Sequence, residues 1–110
     1  MGKTGVLGAF EEVVLLAVHR ASGEAYSVSV RRDISERSGS EVTMGAIHST
    51  LDRLERKGLI ETQASNSTET RGRGRPRRCY RILPKGSTAL AETQRIRKAM
   101  WEGVQLPSET

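Results

Sequence analysis

Arg71-Gly-Arg-Gly-Arg-Pro-Arg-Arg-Cys-Tyr-Arg81 places six arginines in eleven residues, interleaved with glycine and proline and with no acid among them. Guanidinium groups are almost never buried without a partner, so this run stays at the surface and seeks anions. Its glycines let the backbone come close to another surface, and the closely spaced phosphates of nucleic acid suit its charges best. Most charge runs are simply solvated loops. The flanking sequence decides between the two readings.

Upstream, Phe10, Val13, Val14, Ala17, Val18 and Ala21 recur at helical spacing. Leu7, Leu15 and Leu16 add a second apolar side, which predicts a first helix buried on two faces, ended by Ser22-Gly23. A second helix is predicted from Ser27, carrying Val28, Val30 and Ile34, with Ser38-Gly39-Ser40 as its breaker. Thr43 reads as the N-cap of a third helix with Met44, Ile47, Leu51 and Leu54 on one face. Gly58 stands where a left-handed C-cap belongs.

Two strands, Leu59 to Ser65 and Arg78 to Leu83, then bracket the arginines as a β-hairpin with a long basic tip. Pro84 opens a fourth helix with two stripes, Ala89, Thr93, Ile96 and Met100 on one and Leu90, Arg97, Trp101 and Val104 on the other. Two sticky faces call for two partners, the chain's own domain and a second copy.

The 110 residues suit one domain, and 18 Lys+Arg against 13 Asp+Glu leave a net charge of +5 concentrated in the arginine run. A hydrophobic content of 35% with 4% aromatics is thin for a monomer, which again favours a shared core. No apolar run reaches membrane-span length, and MGKTGVLGAFEE lacks the apolar core of a signal peptide. One cysteine fits a reducing compartment. The expected location is therefore cytoplasmic, with no membrane partner.

Three helices followed by a basic hairpin is the order of a winged helix-turn-helix. The expected fold is mainly α with a small β-hairpin: a winged helix-turn-helix over 1–83, a C-terminal dimerisation helix over 84–104 and a polar tail over 105–110. The third helix would enter the major groove and the hairpin would straddle the backbone or minor groove. Gly45, Ala46 and Ser49 are small enough to let that helix sit close to base edges, and His48, Asp52 and Arg53 project beside them.

The chain resembles the PadR family of transcriptional regulators. Four blocks carry the resemblance: Leu7-Gly-Ala-Phe-Glu-Glu-Val-Val-Leu-Leu-Ala-Val18, Ala25-Tyr-Ser-Val-Ser-Val-Arg-Arg-Asp-Ile34, the stretch from Met44 through Ile60, and Gly74-Arg-Pro-Arg-Arg-Cys-Tyr-Arg81. Each is weak alone, but the four in this order and spacing are strong. The resemblance implies a homodimeric DNA-binding regulator, usually a repressor, with an operator of two related half-sites. Operator contacts would then fall to Thr43, Gly45, Ala46, His48, Ser49 and Arg53 on the third helix and to Arg71, Arg73, Arg75 and Arg77 in the wing. The dimer would be built on Leu90, Arg97, Met100, Trp101 and Val104, helped by Leu7 and Phe10 of the first helix. Trp101 would also line any seat for a small planar effector.

Two departures stand out. His48 replaces a common family tyrosine, which makes a phosphate contact there pH-sensitive. Leu83-Pro84 replaces Thr-Pro, so a side-chain cap is lost.

Other readings carry less. Arg73-Gly-Arg-Pro76 also resembles the core of an AT-hook, though the strands around it favour a wing. Cys79 among arginines reads either as a reactive thiolate or as a small half-buried side chain. His19, His48 and Cys79 are too scattered for a metal site, and no nucleophile–base pairing suggests an enzyme or a cofactor. The competing function is a non-specific, architectural or protein-interaction winged-helix module.

Overall fold

Cap chemistry and apolar spacing set out six elements in the computed structural model, which describes residues 6–64 and 78–108. They are α1 (Ala9–Ala21), α2 (Ser27–Ser38), α3 (Met44–Arg56), β1 (Ile60–Ala64), β2 (Arg78–Ile82) and α4 (Pro84–Trp101). The architecture is mainly helical with one antiparallel hairpin, as expected.

The helix ends follow local rules. At the start of α1 the Gly8 N–H donates to the Glu11 carboxylate at 3.3 Å, and the helix closes at Ser22 with φ 54°. At the start of α3 the Thr43 hydroxyl accepts from the Ala46 N–H at 3.1 Å. That helix ends in a Schellman pair of bonds, Gly58 N–H to Glu55 O and Leu59 N–H to Leu54 O, both 3.0 Å. Gly58 supplies the φ of 78° that this closure needs. Pro84 is the first residue of α4. The helix stops at Trp101, before Gly103 with φ 76°, so Val104 lies beyond it instead of continuing its stripe.

The core is one cluster: Val14, Leu15 and Val18 of α1, Val30 and Ile34 of α2, Ile47, Leu51 and Leu54 of α3, then Leu59, Ile60 and Tyr80. Each fully buried leucine or isoleucine contributes roughly 1.5–3 kcal/mol by leaving water. Two-sided burial of α1 is only partial, because Val13 and Leu16 stay exposed between the buried positions.

Antiparallel register pairs Ile60 with Ile82, Thr62 with Tyr80 and Ala64 with Arg78. The Tyr80 N–H donates to Ala25 O at 2.8 Å, which docks the hairpin beside the entry to α2. Cys79 is buried in β2, which suits a small packing side chain.

The first turn of α4 sits hard against Leu59, between α3 and β1. Leu83 N–H donates to Leu59 O at 2.9 Å, and a Cβ added at Gly86 would lie 2.3 Å from that same carbonyl oxygen. Gly86→Ala is therefore expected to destabilise the chain by about 1–3 kcal/mol, because backbone must move to admit the methyl. Denaturant unfolding reads this, and an unchanged midpoint would contradict the close approach.

Candidate nucleic-acid interface

On α3, Ile47, Thr50, Leu51 and Leu54 face the core, and a second line faces away from it. Gly45, Ser49, Asp52 and Arg56 recur at i, i+4, i+7 and i+11 and all are exposed. Thr43 and Ala46 are exposed at the same end. Among the described residues nothing beyond its own helical turn lies within 4 Å of a Cβ built at Gly45, so packing against them does not demand a glycine there. The Ser49 hydroxyl donates back to Gly45 O at 3.0 Å and keeps this surface low. At its Gly45–Ser49 end the line is low and narrow enough to approach the floor of a groove closely, while Asp52 and Arg56 stand higher at the other end.

One flank of the ridge opens into a groove of about 490 Å³ lined by Tyr26, Ser27, Val28, His48, Asp52, Arg78 and Tyr80. It joins the first turn of α2, the flank of α3 and the base of the wing. His48 and Arg78 are thus brought together, as anion contacts from helix and wing require. Burial pushes the Tyr80 phenol up, more than the Arg78 charge draws it down.

The opposite flank is a charge cluster. The Arg53 Nε donates to Glu11 Oε2 at 2.9 Å, and its terminal nitrogen reaches the Thr50 hydroxyl at 3.5 Å. Lys57 Nζ donates to both Glu11 oxygens, at 3.1 and 3.0 Å. The Glu11 side chain is only 11% exposed. Burial pushes its carboxyl up, yet hydrogen bonds from Lys57, the Gly8 N–H and Arg53 outweigh this and hold it below the usual carboxylate range. In the single chain Arg53 thus pairs with Glu11 of α1, while its side chain stays 48% exposed. Arg56, exposed at i+7 from Ser49, was not among the residues expected to contact DNA.

Arg71, Arg73, Arg75 and Arg77 lie outside the described residues. Of the residues expected at a dimer seam, Leu7 is buried in the chain's own core, its N–H bonded to Thr93 Oγ1 at 3.0 Å, so it has no surface to offer. Phe10 and Leu90 are half-buried against that core. Arg97 donates to Glu12 Oε1 within the chain at 2.6 Å. Met100 and Trp101 stand 72% and 57% exposed, and Val104 is exposed beyond them. Among the described residues there is no cluster able to hold a metal ion, and no helix is long and apolar enough to cross a membrane.

A family model described as the transcriptional regulator PadR-like family matches residues 14–92, from the middle of α1 to the middle of α4. The chain belongs to the PadR family. This is a family of transcriptional regulators and not of enzymes. The PadR chain is 35% identical over 77 residues to the transcriptional regulator Rv3488 of Mycobacterium tuberculosis, covering 70% of its own length and 66% of that relative. It thus spans about two thirds of the relative's length. A PadR-like transcription factor from Bacteroides fragilis superposes with a TM-score of 0.69 at 25% identity, over 84% of each chain. A PadR-like regulator from Bacillus cereus superposes with a TM-score of 0.71 at 23% identity, over 86% of each. These likenesses support the winged-helix reading of α1 to β2.

Proposed function

We propose that this PadR-family regulator is a sequence-specific repressor that binds a pseudo-palindromic operator in double-stranded DNA as a homodimer. The carrying observation is the exposed, low-relief line of α3 set beside a hairpin whose intervening segment holds four arginines, Arg71, Arg73, Arg75 and Arg77. In this reading Thr43, Gly45, Ala46, Ser49 and Arg56 meet the major groove, and His48 with Arg78 meets phosphate. The wing arginines lie along the backbone and minor groove. Arg53 braces α3 against α1 and takes no part in the contact set.

The homodimer is supported by α4, which buries only Gly86 and Thr93 among its 18 residues and leaves large apolar side chains uncovered at its end. A dimer occupying two adjacent half-sites blocks other proteins from the same DNA, which is repression by exclusion.

Neutralising Arg73, Arg75 and Arg77 together tests the wing. Binding to all sequences should weaken, and the dependence of log affinity on log salt should flatten by up to about three phosphates' worth, near 0.9 for each. A triple variant with the parent's affinity and salt dependence would remove the wing from the interface.

A further inference from the structure

We propose that Glu11 is a specificity-determining positioning residue: it withholds Arg53 and Lys57 from DNA phosphates, so that affinity rests on the outward line of α3 and on the wing. This rests on the DNA-binding reading above.

Arg53, Arg56 and Lys57 put three cations within five residues at the C-terminal end of the reading helix. Left free, such a trio attaches to any phosphate backbone and carries no sequence information. Two of the three are not free. Glu11 comes from α1, 42 residues from Arg53 and 46 from Lys57, and takes bonds from both. Its carboxylate also accepts from the Gly8 N–H at 3.3 Å, which holds it toward the start of α1.

The competition favours Glu11. The Glu11 side chain is 11% exposed while those of Arg53 and Lys57 are 48% and 49% exposed, so the pairs are shielded from water on the acid's side. A fully exposed cation–phosphate contact is instead screened by salt on both sides. Arg53 also keeps a bond to Thr50 that a move toward phosphate would break. Arg56 lies on the outward line and is the member of the trio that Glu11 leaves available. The energetic result is subtraction. Non-specific affinity is reduced by the two cations removed, while the groove-facing surface is untouched.

Glu11→Gln keeps a side-chain acceptor for the Gly8 N–H and deletes the charge. Affinities of parent and variant for bulk DNA and for operator DNA are measured across a salt series, with folding confirmed by circular dichroism. The expected result is a bulk-DNA salt slope steeper by up to about two, and a bulk affinity raised about tenfold at moderate salt. The operator-to-bulk ratio should fall several-fold. Glu11→Asp, which keeps the charge, should move the slope back toward the parent. An unchanged or shallower bulk slope in Glu11→Gln overturns the proposal.

A second readout needs no variant. The Arg53 Nε–H resonance of the intact chain should keep its paired position when the protein is saturated with bulk DNA, and a shift or loss overturns the proposal even where Glu11→Gln does not fold. A parent that binds no DNA refutes the functional reading and this inference together. A parent that binds, with a slope unmoved by Glu11→Gln, refutes this inference alone.

Discussion

Ser49→Glu is expected to abolish operator binding while leaving the fold intact. Ser49 lies on the exposed line of α3 and its hydroxyl donates to the Gly45 carbonyl of its own helix, so a longer side chain points away from the core. Glutamate is also a good helix former, and the helix itself does not suffer. Against DNA the outcome reverses. In the proposed complex the substitution would set a carboxylate between two rows of phosphates and lift the ridge off the groove floor. A like charge brought into such an interface costs several kcal/mol, so affinity should fall by more than about a hundredfold. Ser49→Ala should stay within a few-fold of the parent. Fluorescence anisotropy with labelled operator, beside circular dichroism, measures both. A Ser49→Glu variant that binds within threefold of the parent would show that α3 does not face the DNA.

The second large effect concerns the end of α4. Replacing Met100 and Trp101 together by aspartate should dissociate the homodimer and cost operator affinity by about two orders of magnitude or more. Both side chains are exposed in the single chain, so their loss leaves the core whole. Two aspartates on a seam related by two-fold symmetry meet their own copies, and the charge is left desolvated. Affinity falls because each half-site then binds alone, and the gain from linking two modules, typically 10²–10⁴-fold, disappears. Light scattering on the folded variant decides the matter. A persistent dimer would place the seam elsewhere and remove Trp101 as a wall for any planar effector.

Much of the fold was legible because its signals are local. The Thr43 cap, the left-handed Gly58 and Pro84 at the start of α4 each depend on a few neighbouring residues, and each sits where those residues put it. The end of α4 carried the same kind of signal in Gly103, and following the apolar stripe to Val104 overrode it.

Periodicity alone was a weaker guide to burial. It marks Val13 and Leu16 as apolar helix positions but cannot distinguish cover by the chain's own core from cover by another molecule. Leu7 erred the other way, filled by its own domain where a seam was expected. The exposure of Gly45, Ala46 and Ser49 on one face of α3 could be read from size and spacing. The pairing of Arg53 with Glu11 could not, since the two lie 42 residues apart and only the packing of α1 on α3 brings them together.

Chemical footprinting of guanine N7 on an operator selected from random DNA tests the arrangement most directly, because N7 lies in the major groove. Two α3 ridges carried by one homodimer should protect two clusters of guanines on one face of the duplex. Their centres should lie about one helical turn, roughly 34–36 Å, apart. Protection spread evenly along the duplex, or binding that leaves every N7 reactive, would mean that α3 does not read the major groove.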